Sequence, residues 1–367
     1  KRGSKAVVKR GVVRVVTPGT LTEESLLEAR RNNFLAAISE VRGEGAIAWV
    51  DISTGEFRVL STDVVRFSPE LARLSPSEVI LPGAKEADFA DLVTDLGASP
   101  TTLSGASFDS QSAEKRLSSV FRVDSLEAFG SFGRAELSAM GALVDYLDLT
   151  QKGKLPLLRP PVREMPADTM QIDAATRRNL ELTQAMAGGR AGSLLHVIDR
   201  TVTAAGGRLL ERRLSSPSRH LETIHARLEA VAYCQSQADW ADDVRAALRS
   251  SPDMDRALSR LALDRGGPRD LAAIRDGLAQ ARHITGLNAA NFPDLVTENI
   301  GRMAGFAHIL DALEETLVAE PPLLARDGGF IAEGVDEALD EARKLRDEGR
   351  GVIAGYQADY AAETGVP

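Results

Sequence analysis

The sequence predicts two dissimilar parts in one chain: a small α/β sheet domain, then an all-α helical bundle carrying a long lever helix. Three observations predict this. β-branched and alternating apolar runs are confined to residues 12–150, four prolines crowd residues 151–171, and the apolar repeats after residue 172 have helical spacing. A chain of 367 residues also exceeds what one compact core usually organises.

In the first part, residues 12–16 are almost all valine, which predicts a strand ending at the turn Thr17-Pro18-Gly19-Thr20. Thr22 resembles an N-cap, with Glu23 and Glu24 in the first turn of a short helix to about Arg31. Residues 34–41, 46–52 and 56–60 predict a three-strand meander, with Gly43 and Gly45 in the first connection and Ser53-Thr54-Gly55 as the second. A short helix over 68–74, a strand over 78–81 stopped by Pro82-Gly83, and an amphipathic helix over 85–96 follow. Helices over 109–121 and 134–149 complete the part, the second with Leu137, Met140, Val144 and Leu147 on one face. Pro156, Pro160, Pro161 and Pro166 exclude a helix or central strand and mark 151–171 as a linker.

The second part reads as helices. Asp173 caps one over 174–186, ended by Gly188-Gly189. Another runs over about 204–214 to Ser216-Pro217, and one over 221–237 carries the stripe Leu221, Ile224, Leu228 and Val231. Pro252 opens a helix with Met254, Leu258 and Leu261, and Gly266-Gly267-Pro268 separates it from one with Leu271, Ile274 and Leu278 inward. Residues 300–318 repeat the pattern as one helix. The stretch 335–360 is a charged helix with a sparse apolar stripe, which predicts a projecting lever, weakened midway by Gly349, Gly351 and Gly355 at about 1 kcal/mol each relative to Ala.

Composition narrows the function. Hydrophobic residues at 43% and charged residues at 26% are those of a globular protein, and no apolar run approaches the roughly 18 residues of a membrane span. The amino end lacks the apolar core of a signal peptide, and the single Cys234 excludes an internal disulfide, so a cytoplasmic location is expected. A net charge of −9 argues against binding nucleic acid over the whole surface, although residues 1–14 hold six basic groups and no acid. Aromatic content of 5% offers no stacking platform for single strands.

Catalytic signatures are sparse. The glycine-rich run 188–192 lacks the spacing and the lysine of a phosphate loop and reads as a helix terminator. His220 and His225 fall on different helix faces, which disfavours a shared zinc. Asp51 and Glu56 flank a hairpin and could hold Mg²⁺ for a metal-dependent nuclease if Asp63, Asp88 or Asp109 converged with them. The alternative is that Asp51 and Ser53 satisfy turn amides. No serine–histidine–acid arrangement is suggested.

Several strings in order resemble one family: VVRVVTPGTLT (12–22), NNFLAAI (32–38), DISTGEF (51–57), IDAATRRNLELT (172–183), GSLL (192–195), DRTVT (199–203), GRLLERRL (207–214), RALSRL (256–261) and GPRDL (267–271). Each is weak alone, but their shared order over nearly the whole chain is similar to the bacterial MutS mismatch-repair family. The resemblance implies that 1–14 correspond to the tail of the mismatch-reading domain and its linker, and 15–150 to the connector, a ribonuclease H-like fold without nuclease chemistry. It implies a linker over 151–171, core helices over 172–334, and a lever entering the DNA clamp over 335–367. The family's Phe-x-Glu mismatch reader and its Walker ATPase are not among these residues.

What the resemblance implies for function is transmission: ATP-driven change at one end altering the grip on DNA at the other. It implies no cofactor and no enzyme activity in this chain, with ATP and Mg²⁺ used by a parent protein that is a DNA-dependent ATPase. The implied partners are mismatched double-stranded DNA and a second copy, both through the parent, and MutL on the connector. For MutL the expected contact is the solvent face of helix 109–121: Gln111, Glu114, Lys115 and Ser118, with Arg116 at its edge, while Ala113, Leu117, Val120 and Phe121 turn inward. Apolar positions on 300–318 and 335–345 are expected to lie partly bare. A freestanding interaction module without a DNA role is the remaining alternative.

Overall fold

A computed structural model describes residues 11–287 and 289–365. The meander forms as expected: β1 (Leu35–Val41), β2 (Glu44–Asp51) and β3 (Glu56–Thr62) pair antiparallel in sequence order. Arg42 (φ 57°) and Gly43 (φ 85°) make the two-residue first turn, where both central residues need positive φ. Gly45 lies inside β2, where a Cβ would stand 2.5 Å from the Thr62 carbonyl oxygen. After α1 (Phe67–Leu74), β4 (Glu78–Pro82) adds parallel to β1. Beyond α2 (Glu86–Asp95), a fifth strand, β5 (Ser99–Leu103), adds parallel to β4. The sequence reading missed β5 because Pro100 sits within it, which only an edge strand tolerates.

With β6 (Val162–Glu164) at the far edge, the sheet order is β5-β4-β1-β2-β3-β6. The pleat sends Leu35, Ala37, Ala48 and Val50 to one face and Ala36, Ile38, Ile47 and Trp49 to the other. α3 (Ser110–Phe121) and α4 (Arg134–Gln151) cover the first face, and α1 and α2 cover the second. The alanines on β1 and β2 let α4 lie close to the sheet, so α4 is buried nearly all round rather than on one stripe. Gly141 permits the α3–α4 approach, since a Cβ there would fall 2.2 Å from that of Ala113.

Two expectations in this part are corrected. Residues 12–16 are not a strand: Val12 and Val13 face solvent, and among the described residues the segment's one backbone bond to the rest is Val15 N–H to the Thr150 carbonyl, 2.8 Å. Residues 22–31 form turns rather than a helix, with i to i+3 bonds from Leu26 N–H to the Glu23 carbonyl at 3.1 Å and from Arg31 N–H to the Glu28 carbonyl at 3.3 Å. The linker segment, whose prolines exclude a helix or central strand, contributes an edge strand, β6, which pairs parallel with β3. Of the basic stretch 1–14, residues 1–10 lie outside the described residues.

The second part is helical throughout, with α5 (Ala174–Asn179), α6 (Leu194–Ile198), α7 (Ala204–Ser215), α8 (Leu221–Ser236), α9 (Ala238–Arg249), α10 (Met254–Ala262) and α11 (Pro268–Thr285). α5 stops well short of residue 186 because Glu181 turns left-handed at φ 48° and its carboxylate takes the Met186 amide. α9 was not foreseen. The single helix expected over 300–318 is two, α12 (Asp294–Arg302) and α13 (Ala307–Thr316), parted at Gly305 with φ 94°. The lever breaks at Glu348 into α14 (Glu337–Asp347) and α15 (Gly349–Thr364), at the edge of the glycine-weakened stretch.

Packing thins along this part. Leu221, Leu228 and Val231 on α8, Phe306 and Ile309 at α13, and Val335 and Leu345 at α14 are exposed. Among the described residues no helix is long and apolar enough to cross a membrane.

Candidate functional site at the joint of sheet and helices

Asp51 at the end of β2 is fully buried, and its two carboxylate oxygens receive four donors. Ser53 supplies its amide at 2.9 Å and hydroxyl at 2.6 Å to one oxygen; Asn32 Nδ2 at 2.8 Å and the Asn33 amide at 3.2 Å reach the other. Burial pushes its pKa above the ordinary carboxylate value, with those four donors acting in opposition. The carboxylate therefore pins residues 32–33 to the hairpin, and its lone pairs are spent on amides and hydroxyls. Glu56 holds Arg58 at 2.6 Å and Arg212 at 2.9 Å, Asp88 faces Lys85, and Asp109 caps α3. No group of three metal-ligating side chains occurs among the described residues. His220 pairs with Asp168 at 2.9 Å instead of with His225.

The densest polar constellation lies instead along the segment 22–34, which leads into β1 as a strap between sheet and helices. Arg208 of α7 donates to the Ala29 carbonyl at 2.9 Å, and Arg256 of α10 donates to the carbonyls of Glu28 at 3.0 Å and Arg31 at 2.9 Å. In return Arg30 reaches the Asp199 carboxylate at 2.9 Å and Thr201 through its hydroxyl at 2.7 Å and carbonyl at 2.9 Å. Arg265 bridges Thr22 and Gln151 at 3.1 and 2.6 Å. These guanidiniums add to the strap's own turn bonds, such as Arg31 N–H to the Glu28 carbonyl at 3.3 Å, and tie two parts of the chain together.

Arg208 and Arg256 are almost wholly buried, so each needs compensation. Asp253 supplies it for Arg208, accepting two bonds of 2.7 and 2.9 Å while also capping α10. Burial opposes the charge on Arg208, but the Asp253 pairing outweighs it and raises the pKa above the ordinary value. Arg256 has its pKa lowered by burial and by Arg208 nearby. Glycine at 207 gives the Arg30 stem room, since a Cβ there would lie 3.1 Å from its Cβ and Cγ. Arg212 to Glu56, Arg159 to Asp255 at 2.5 Å and Arg73 to Ser216 at 2.9 Å extend the joint along the edge of the sheet.

None of these arginines was singled out as a site from sequence. The signal was available, because Asp199, Arg208 and Arg256 sit inside the quoted strings 199–203, 207–214 and 256–261. On α3, Gln111, Glu114 and Lys115 are exposed and Ser118 half-buried, with Ala113 and Leu117 wholly inward. Arg116 is tied to α4, donating to the Gly141 carbonyl at 2.8 Å and facing Asp145 at 3.3 Å.

Comparison with known proteins gives matches over both parts. A family model for MutS domain II matches residues 33–159, and one for MutS domain III matches residues 175–362. The chain is 62% identical over 366 residues to a DNA mismatch repair protein MutS of Cereibacter sphaeroides, covering 100% of this chain and 41% of that protein. It is 62% identical over 370 residues to that of Ruegeria pomeroyi and 61% over 366 residues to that of Paracoccus denitrificans, covering 100% of this chain and 42% of each. The chain thus spans about two fifths of the length of these curated relatives.

Proposed function

The chain belongs to the MutS family, in its domains II and III, and from that membership we propose that it is the transmission joint of a DNA mismatch-repair protein. In this reading the parent protein binds mismatched duplex in the cytoplasm, works as a dimer and hydrolyses ATP with Mg²⁺ elsewhere in its length. This chain supplies no chemistry and no cofactor site; it carries the nucleotide-driven change between ATPase and DNA clamp. The observation that supports this is the joint itself. Two buried core arginines, Arg208 and Arg256, grip the main-chain carbonyls of the strap, so a shift of α7 or α10 moves the connector as a body.

The test is made in the intact protein with Arg208→Met and Arg256→Met together. Affinity for mismatched duplex is expected to persist, while ATP-triggered release of the duplex slows by roughly tenfold, as for an interrupted coupling. Release at the parental rate would contradict the reading.

A second role proposed for the same chain is docking of MutL on the α3 face. The exposure of Gln111, Glu114 and Lys115 on a helix closely packed against α4 supports it. Arg116 serves α4 and is better left intact in a test. Charge reversal by Glu114→Lys and Lys115→Glu is expected to weaken MutL binding; unchanged binding removes the face from consideration. The nuclease alternative has no comparable support, since Asp51 is fully engaged by its own hairpin and strap.

A further inference from the structure

The loop between α5 and α6 contains an arginine that faces two carboxylates and satisfies one. Arg190 donates to Asp199 Oδ2 at 2.7 Å, the same oxygen that receives Arg30 of the strap at 2.9 Å. Its other terminal nitrogen stands 3.9 Å from Glu211 Oε2 on α7. That oxygen is buried and has no hydrogen-bond partner. A buried acceptor left bare is unfavourable and rare enough to require a reason.

Three glycines shape the loop. Gly188, Gly189 and Gly192 all have positive φ, and nothing lies within 4 Å of where a Cβ would stand on the first two. Met186 at the turn is exposed, and the loop closes on itself through Ala185 N–H to the Gly189 carbonyl at 2.8 Å. The Arg190 carbonyl is held by the Ser193 amide at 3.1 Å and hydroxyl at 2.7 Å, so its long side chain rather than its backbone is free to change partner. We propose that Arg190 is a positioning residue with two seats: on Asp199 it shares a carboxylate with Arg30, and a shift of about 1 Å seats it on Glu211 at ordinary ion-pair distance.

The two seats differ in what they do to the joint. With Arg190 on Asp199, one carboxylate oxygen serves two guanidiniums and links the loop to the strap. With Arg190 on Glu211, Asp199 belongs to Arg30 and Thr201 alone, and the loop is tied to α7. Burial raises the Glu211 pKa, Glu28 and Asp199 add to that effect, and Arg31 and Arg190 oppose it, so the second seat gains most from a closer guanidinium. Loop displacement is thereby read out at Arg30. The inference rests on the joint being the coupling element.

Amide hydrogen exchange on the intact protein tests it. Glu211→Gln keeps the shape of the second seat and removes its charge; the Ala185, Gly188 and Ser193 amides should then exchange about tenfold more slowly. Arg190→Gln, which vacates both seats, should make them exchange faster than in the parent. Unchanged or faster loop exchange in Glu211→Gln overturns the two-seat arrangement. Asp199→Asn checks the link from this carboxylate to the strap: the Leu26 and Arg31 amides should exchange faster. If they do not respond, the strap is not held through Asp199 and the two-seat inference fails, whereas the joint itself fails only if ATP-triggered release is unchanged in the protein with Arg208→Met and Arg256→Met.

Discussion

Asp253 caps the first turn of α10 and at the same time holds Arg208 in a two-bond grip of 2.7 and 2.9 Å. One carboxylate thus fixes both helices that hold the strap. Asp253→Asn keeps a cap but leaves Arg208 buried without its counter-charge, a change that costs roughly 3 kcal/mol or more for buried pairs. Urea unfolding should register that loss. A loss near zero would mean the pair is dispensable.

The same pair sets an acid limit. Burial alone would raise the Asp253 pKa, yet Arg208 overrides it and holds the carboxyl below the ordinary range. Its contribution is therefore fully present above the unfolded value of about 4 and is lost as pH falls through the folded value. The difference in stability between parent and Asp253→Asn should shrink as unfolding is measured from pH 6 down to about pH 3.

An alkaline limit arises at Tyr146. Its hydroxyl donates to Glu78 at 2.6 Å, and burial together with that carboxylate pushes its pKa up to about 12. A raised value means stability present below the unfolded pKa of about 10 and lost as pH rises through the folded one. Tyr146→Phe should remove that slope and, near neutrality, cost about 1 kcal/mol for the lost bond. Glu78 keeps Thr17, Gly19 and Thr101 as donors. Ultraviolet titration of the phenol provides the check.

Close helix approach offers a steric prediction. A Cβ on Gly141 would overlap that of Ala113 at 2.2 Å, so Gly141→Ala should destabilise by about 1–3 kcal/mol. Adding Ala113→Gly should recover part of the loss in thermal unfolding. Recovery that is absent would place the strain elsewhere.

The lever predicts the opposite sign. Cβ atoms on Gly349, Gly351 and Gly355 meet nothing within 4 Å. Alanine at each should favour helix by up to about 1 kcal/mol. Circular dichroism should register more helix in the triple variant, and a continuous lever should alter the response to nucleotide.

How much of this could be read from sequence depended on where the partners lie. The meander, the helix boundaries at Asp109, Asp173 and Pro268, and the weakness of the lever follow from neighbours in the chain, so periodicity and capping residues sufficed. The strap did not follow. Thr22 with two glutamates has the local chemistry of a helix start, yet residues 22–31 form turns, and the arginines that anchor them, Arg208 and Arg256, lie 179 and 228 residues away from the carbonyls they take. β5 and β6 were hidden by prolines that edge strands accept. Asp51 was legible as a turn residue, whereas its hold on Asn32 and Asn33 required the fold.

Arg208 and Arg256 tie the helices to the strap through its main-chain carbonyls, and through the strap to the sheet. Spin labels at Glu127→Cys, beyond α3, and Glu229→Cys, on α8, in an intact protein otherwise free of reactive cysteine, measure this tie by pulsed dipolar spectroscopy. A single narrow distance in the parent that broadens when Arg208→Met and Arg256→Met are combined is the expected result. An equally narrow distribution in both proteins would contradict the account.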